Sequence, residues 1–192
     1  MESKTTNKGE ILRTTAKELF WKHGFRRVSV GEICQKAGIS KMTFYRLYDN
    51  KTVLACEIID KIIADGVIRF REVMKNESSV SEKMKQIVML KHENTNEISM
   101  EFLADLYSSP QSELKDYMFK RTQETWNELL IEFKKAQQDG WLRNDFKPEF
   151  LLAISFKMVD LINDKQISSL YASPQDLIME MTNMIAYGIS PR

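Results

Sequence analysis

The chain has 192 residues, of which 43% are apolar and 29% charged. This balance argues against disorder and suits one compact domain or a small domain joined to a larger one. Seven Gly and four Pro are too few for Gly-rich phosphate loops or for a many-stranded β protein, so the composition favours long helices. The polar N-terminal segment lacks the apolar core of a signal peptide, and no apolar run reaches the roughly 18 residues of a membrane span. We therefore expect a cytoplasmic protein without a membrane partner.

The net charge of +1 conceals a basic segment attached to an acidic one. Residues 1–51 contain 11 Lys and Arg against 5 Asp and Glu, a net charge of +6, whereas the other 141 residues carry 17 against 22, a net charge of −5. A basic module of this kind is expected of a phosphate-binding domain. Charge alone does not separate it from a solvated basic face, so the spacing of residues has to decide.

Helical spacing of apolar residues predicts an all-α fold with nine helices. Ser29 and Ser40 are typical N-cap residues, and Gly38 between them supplies the positive φ of a tight turn. The first four predicted helices are one ending at Gly24, one over about 30–37, one from Lys41 to about Leu47, and one of roughly 25 residues capped by Asp49 or Asn50. The other five begin after Ser79, near Ile98, at Ser109-Pro110, at Pro148 and at Ser173-Pro174, and the seventh ends at Gly140.

Residues 29–48 contain the parts of a helix-turn-helix unit. Such a unit needs a supporting helix, a tight turn that usually contains Gly, and a second helix that enters the major groove. The helix after Ser40 is too polar for a core helix, while Phe44 and Leu47 can pack inward and leave the other face free. The predicted DNA-binding residues are Ser40, Lys41, Met42, Thr43, Tyr45, Arg46, Tyr48 and Lys51. For Tyr45 and Tyr48, the alternative to DNA contact is that each ring packs in the core and only its hydroxyl reaches solvent.

The segment from Ser29 to Leu54 resembles the N-terminal signature of the TetR family over about a quarter of the chain. The shared features are the Ala-Gly-Ile-Ser turn that ends at Ser40, the Thr-x-Tyr of the recognition helix, the aromatic residue at 48 and the Lys-x-x-Leu that opens the fourth helix. The resemblance implies that Thr43, Tyr45, Tyr48 and Lys51 contact phosphates or groove edges of double-stranded operator DNA. Met42 stands where the family often has Gly, and Leu47 where it often has a polar residue, which leaves the operator sequence open.

The resemblance also implies an N-terminal three-helix DNA-binding domain, residues 1–51, and a larger helical domain, residues 52–192, that binds an effector and forms a homodimer. The eighth predicted helix is apolar almost all round, and the ninth carries a second apolar stripe. The predicted dimer interface contains Phe150, Ile154, Phe156, Leu161, Leu177, Met181, Met184 and Ile185. The alternative places both helices deep in the core of one subunit.

A small apolar effector is the second expected partner. Aromatic and aliphatic residues of the sixth, seventh and eighth predicted helices could line its cavity, with a threonine or an arginine as polar contact. The predicted ligand-binding residues are Phe102, Leu106, Tyr107, Arg121, Thr122, Trp126, Leu130, Phe133 and Phe156. The plainer alternative is that they fill the core.

The motifs of common enzymes are absent from the sequence. It contains no His-Glu-x-x-His, no Gly-x-Ser-x-Gly and no phosphate-loop pattern, and its only histidines are His23 and His92. Cys34 and Cys56 lack the spacing of a zinc site. We therefore expect no catalytic residues, no metal and no cofactor. The expected function is a transcriptional regulator, a repressor released from its operator by an effector; the alternative is an all-α protein-interaction scaffold without DNA binding.

Overall fold

The computed structural model describes residues 2–107 and 113–191, with side chains from residue 7 onward. The described residues form ten α-helices and no strand, so the predicted all-α class is confirmed. The helices are α1 (Glu2–His23), α2 (Val30–Ala37), α3 (Lys41–Leu47), α4 (Lys51–Lys75), α5 (Val80–Thr95), α6 (Met100–Tyr107), α7 (Glu113–Gln138), α8 (Glu149–Asn163), α9 (Lys165–Ser168) and α10 (Pro174–Ile189). None of the helices in these ranges combines the length and the hydropathy that a membrane span requires.

The N-terminal helices begin where the capping residues of the sequence place them. The Ser29 hydroxyl accepts the backbone N–H of the third residue into α2, and Ser40 does the same for α3. Asn50 rather than Asp49 caps α4, because its side-chain oxygen accepts the N–H of Val53 at 3.0 Å. Each of these bonds satisfies a donor that the first turn of a helix leaves free.

The C-terminal helices contain one element that the sequence did not reveal. Asp164 accepts the N–H groups of the second and third residues of the short helix α9, so the predicted count of nine helices is wrong and the ninth predicted helix is α10. A four-residue helix is too short for an apolar period to show it. Ser173 and Asp176 form a capping box at α10, as the predicted start requires. The predicted start of the seventh helix at Ser109-Pro110 lies outside the described residues.

Two compact units make up the chain. Unit 1 comprises Met1–Lys61 and Glu97–Met118. It extends beyond the predicted boundary after residue 51 and includes α6, because the Trp21 ring of α1 packs against Phe102 with 4.3 Å between ring centroids. The N–H of Ser99 also donates to the Trp21 carbonyl at 2.9 Å. The fully buried apolar side chains of unit 1 include Leu12, Phe20, Ile33, Phe44 and Leu54.

Unit 2 comprises Ile62–Asn96 and Phe119–Arg192. Its core contains Met84, Phe133, Ala136, Leu142, Leu151 and Ala186. The ammonium of Lys83 is buried in this unit and donates to the carbonyls of Val73 (2.8 Å), Met74 (3.1 Å) and Asn76 (2.5 Å). It also lies 4.3 Å from the centroid of the Trp141 ring. Lys83 therefore satisfies carbonyls that the end of α4 leaves without helical partners.

Candidate nucleic-acid interface

Helices α2 and α3 form the helix-turn-helix around Gly38. Its φ of 65° is left-handed, and the N–H of Ile39 donates to the Cys34 carbonyl at 3.0 Å, which closes the turn. Phe44 has no exposed surface and fixes the inner face of α3 in the core of unit 1. Cys34 is buried on α2, and burial raises the pKa of its thiol, an effect that the nearby Lys41 ammonium partly offsets.

The opposite face of α3 is exposed. Met42 and Tyr45 have 82% and 54% of their surface accessible, and Arg46 is exposed beside them. Thr43 is half-buried, and its hydroxyl lies 3.0 Å from that of the exposed Ser40. α3 therefore presents an exposed surface with apolar, aromatic and cationic side chains.

Lys41 is exposed, but its side chain runs back towards α2. A Cβ atom added at Gly31 would lie 3.3 Å from the Lys41 Cε atom and 3.4 Å from its Nζ atom. The ammonium group therefore lies near the first turn of α2.

Tyr48 was predicted to contact DNA, but the structure buries it. Only 5% of its surface is accessible, and its hydroxyl oxygen accepts from Arg13 at the long distance of 3.4 Å. The same guanidinium pairs with Glu57 at 2.6 Å and with Glu10 at 2.9 Å. Burial is the largest cause of the raised pKa of Tyr48. Through the Arg13 guanidinium, Tyr48 thus connects the end of α3 to α1 and α4.

Lys51, another predicted DNA contact, is also engaged within the chain. Its ammonium donates to the carbonyls of Phe25 (2.7 Å), Arg26 (3.1 Å) and Val28 (2.8 Å), and it lies 4.5 Å from the centroid of the Phe25 ring. A lysine has three donors, and these bonds use all of them. Burial lowers the pKa of Lys51, while the carboxylate of Asp105 acts in the opposite direction. Lys51 therefore holds the turn between α1 and α2.

Asp105 of α6 holds the same turn and was missed by the sequence analysis. Its Oδ2 atom accepts the backbone N–H of Arg26 at 2.8 Å. Gly24 has a φ of 83°, and a Cβ atom added there would lie 3.0 Å from that oxygen and 3.1 Å from Cβ of Glu101. No local pattern marks this pair, because a backbone N–H carries no sequence signal.

The predicted ligand-binding residues are divided between the two units. Phe102, Leu106 and Tyr107 belong to unit 1, where the first two are buried, and the other six belong to unit 2. In unit 2 the Trp126 and Phe133 rings stack with 5.5 Å between centroids, and Phe156 stacks on the exposed Phe119 at 4.7 Å. The half-buried members of the set are Tyr107, Arg121, Thr122, Trp126, Leu130 and Phe156.

The predicted dimer residues differ in exposure. Leu177 and Met181 are buried within the chain, with 3% and 7% of their surface accessible. Phe150 and Met184 have 60% and 71% accessible, and Leu161 has 42%. Ile154, Phe156 and Ile185 are half-buried. The exposed members leave apolar surface on α8 and α10 without a cover from the described part of the chain.

No group of three or more His, Cys, Asp or Glu side chains in the described ranges could hold a metal ion.

The short helix pair, its glycine turn and the exposed face of α3 define a helix-turn-helix DNA-binding protein. Residues 12–58 match the family model of bacterial regulatory proteins, tetR family. Residues 12–58 therefore resemble the DNA-binding domain of the TetR family. This confirms the resemblance predicted from Ser29 to Leu54 and supports the predicted class of a DNA-binding transcriptional regulator.

Similar proteins fall into two groups. Nucleoid occlusion factor SlmA from Salmonella paratyphi B and from Salmonella newport is 26% identical over 88 residues, which cover 46% of this chain and 44% of each relative. The chain thus matches less than half the length of these relatives. Among solved structures, the fatty acid degradation regulator FadR of Bacillus halodurans has a TM-score of 0.69 at 16% identity, with 96% of this chain and 97% of that chain covered. Reduced NemR of E. coli gives 0.69 at 15%, with 96% and 97% covered. At these identities the likeness shows the fold.

Proposed function

We propose that the protein is a homodimeric transcriptional repressor that binds a two-fold symmetric operator in the cytoplasm. The observation that carries the proposal is the geometry of α3, whose inner face is fixed by Phe44 while Met42, Tyr45 and Arg46 project from the other face. A rigid, exposed and partly cationic helix of this kind suits the major groove, where cations and hydroxyls contact phosphates and base edges.

The proposed contact surface is smaller than the predicted one. It consists of Ser40, Lys41, Met42, Thr43, Tyr45 and Arg46. Tyr48 and Lys51 are assigned a supporting role, because the first is buried and the second uses its three donors within unit 1. They fix the ends of the helices that carry the contacts.

Dimerisation is proposed through the exposed apolar residues of α8 and α10. Phe150, Leu161, Met184 and Tyr187 are all more than two-fifths accessible. A second copy could cover them by two-fold symmetry, and each copy would then present one α3 to one half-site. Leu177 and Met181 are assigned to the core of the subunit instead.

We further propose that a small apolar molecule binds in unit 2 and releases the operator. What supports this step is the incomplete burial of the aromatic residues around Phe133. Trp126 and Phe70 both pack against Phe133 and stay half-buried. Aromatic side chains of this kind commonly line ligand cavities.

The DNA-binding proposal is tested by selecting fragments from a random duplex pool with the purified full chain. We expect enrichment of one palindrome whose half-sites are separated by about one helical turn, roughly 34 Å. Binding should weaken steeply with salt, since each neutralised phosphate contributes about 0.9 to the log-log slope. A pool that shows no enrichment, together with weak binding that salt does not change, would contradict the proposal and favour the protein-interaction scaffold.

The effector proposal needs a separate test, because the operator could be bound without any effector. The selected operator is titrated with a panel of apolar small molecules, and Trp126 fluorescence is recorded in a Trp21→Phe, Trp141→Phe chain. A molecule that changes this fluorescence should also lower operator affinity. If the compounds that perturb Trp126 leave operator binding unchanged, unit 2 does not control release.

A further inference from the structure

Met42 is the most exposed of the large apolar side chains in the described part of the chain, with 82% of its surface accessible. Single exposed apolar residues are common on protein surfaces and need no explanation by themselves. Met42, however, lies on the face of α3 that the proposed function turns towards DNA. What distinguishes it is the arrangement of its two neighbours along the helix.

The neighbours of Met42 are engaged elsewhere. The Lys41 side chain runs back towards Gly31 of α2. The Thr43 hydroxyl is paired with that of Ser40 at 3.0 Å, and Ser40 also accepts the Thr43 N–H at 3.2 Å. Of residues 41–43, Met42 alone has a long side chain projecting away from the helix pair. The first group that this part of α3 offers to a groove is therefore a flexible thioether.

The chemistry of the side chain selects its partner. A thioether has no donor and is only a weak acceptor, so it cannot read the polar edges of guanine, adenine or cytosine. The one apolar group at a base edge in the major groove is the 5-methyl group of thymine. We propose that Met42 contacts a thymine methyl group in each half-site and so sets a thymine preference at that position. This inference rests on the proposed DNA binding.

The test removes the methyl group and nothing else. Each thymine of the selected operator is replaced in turn, symmetrically, by deoxyuridine, and affinities are measured for the wild-type chain and for Met42→Ala. At one position per half-site, losing the methyl group should lower the affinity of the wild-type chain about fourfold, which corresponds to burying one methyl group, ~0.8 kcal/mol. Because the substitution is symmetric, the affinity for the whole operator should fall about 15-fold. Met42→Ala should bind the thymine and uracil forms of that position equally.

Two further variants separate the contact from general effects. Met42→Leu keeps an apolar side chain and should retain the preference for thymine over uracil. Met89→Ala, which shortens another exposed methionine (61% accessible) in unit 2, should behave as the wild-type chain does. Circular dichroism confirms that each variant is folded.

The outcomes are distinguishable from failure of DNA binding itself. Uracil substitutions that weaken Met42→Ala as much as the wild-type chain would overturn the proposal, as would a wild-type chain indifferent to every thymine methyl group. In both cases an operator has been selected, so the proposed function stands. If no operator is enriched at all, the proposed function fails first.

Discussion

Asp105 holds the backbone of Arg26 across 79 residues of sequence: its Oδ2 atom accepts the Arg26 N–H at 2.8 Å. Lys51 binds the carbonyl of the same residue at 3.1 Å. In the turn between α1 and α2, the Asp105 carboxylate thus accepts a backbone N–H and the Lys51 ammonium donates to backbone carbonyls. Because Ser29 at the end of this turn caps α2, the two charged side chains help to fix where the helix-turn-helix begins.

The first prediction concerns the space beside this turn. Gly24→Ala should destabilise the chain by about 1–2 kcal/mol for a left-handed φ, and by a further ~1–3 kcal/mol because the new Cβ displaces the Asp105 carboxylate or Glu101. Gly38→Ala is the matched control: its φ of 65° is also left-handed, but its Cβ would meet open space among the described residues. Urea unfolding compares the two. Equal losses would mean that the close approach to Asp105 costs nothing.

The second prediction separates support from DNA contact. Lys51→Met should lower the stability of the chain by about 1–3 kcal/mol, because carbonyls lose their charged donor, and should weaken operator binding without changing the salt slope. Arg46→Ala, at an exposed position of α3, should leave stability unchanged and reduce the slope by about 0.9 per half-site, or about 1.8 for the dimer on its operator. Affinity is measured against salt for both variants. A reduced salt slope for Lys51→Met would instead support the contact between Lys51 and a DNA phosphate that the sequence predicts.

The third prediction concerns the dimer interface. Met184→Glu places a charge at an exposed position of α10, so it should give a folded monomer with most operator affinity lost. Met181→Glu, three residues earlier, puts a carboxylate in the core and should unfold the chain, since an unpaired buried charge costs several kcal/mol. Sedimentation and circular dichroism distinguish these results. If Met184→Glu remains a dimer, another surface carries the association.

The fourth prediction concerns the buried ammonium of unit 2. Lys83→Met should cost about 2–3 kcal/mol, because the carbonyls of Val73, Met74 and Asn76 lose their donor inside the protein. Lys85→Met, two residues along α5 and exposed, removes the same charge at the surface and should change stability by less than about 0.5 kcal/mol. Thermal unfolding compares the two variants. Similar midpoints would show that water replaces the Lys83 donors.

Local rules predicted the parts of the site that depend on neighbours in sequence. Ser29 and Ser40 each accept an N–H three residues ahead, so short-range spacing was enough to place α2 and α3. Lys51 and Asp105 bind backbone groups 23 to 79 residues away, and backbone groups carry no pattern in a sequence. The predicted role of Lys51 therefore rested on its motif, while its contacts depend on the fold.

The apolar helices show a second limit of sequence patterns. Periodicity finds a stripe, but it does not say which flank of that stripe the chain itself covers. Met181 and Met184 both belonged to the predicted dimer interface, yet 7% of one and 71% of the other is accessible. Only the packing of α10 within unit 2 separates them.

Both cysteines of the chain, Cys34 and Cys56, lie in unit 1. The first is buried in α2 and the second is half-buried in α4. A thiol reagent therefore samples the opening of the helix-turn-helix and leaves unit 2 unmarked. The modification rate of Cys34 reports how often that domain opens in the native state. It therefore gives the free energy of local opening, which unfolding of the whole chain does not measure separately.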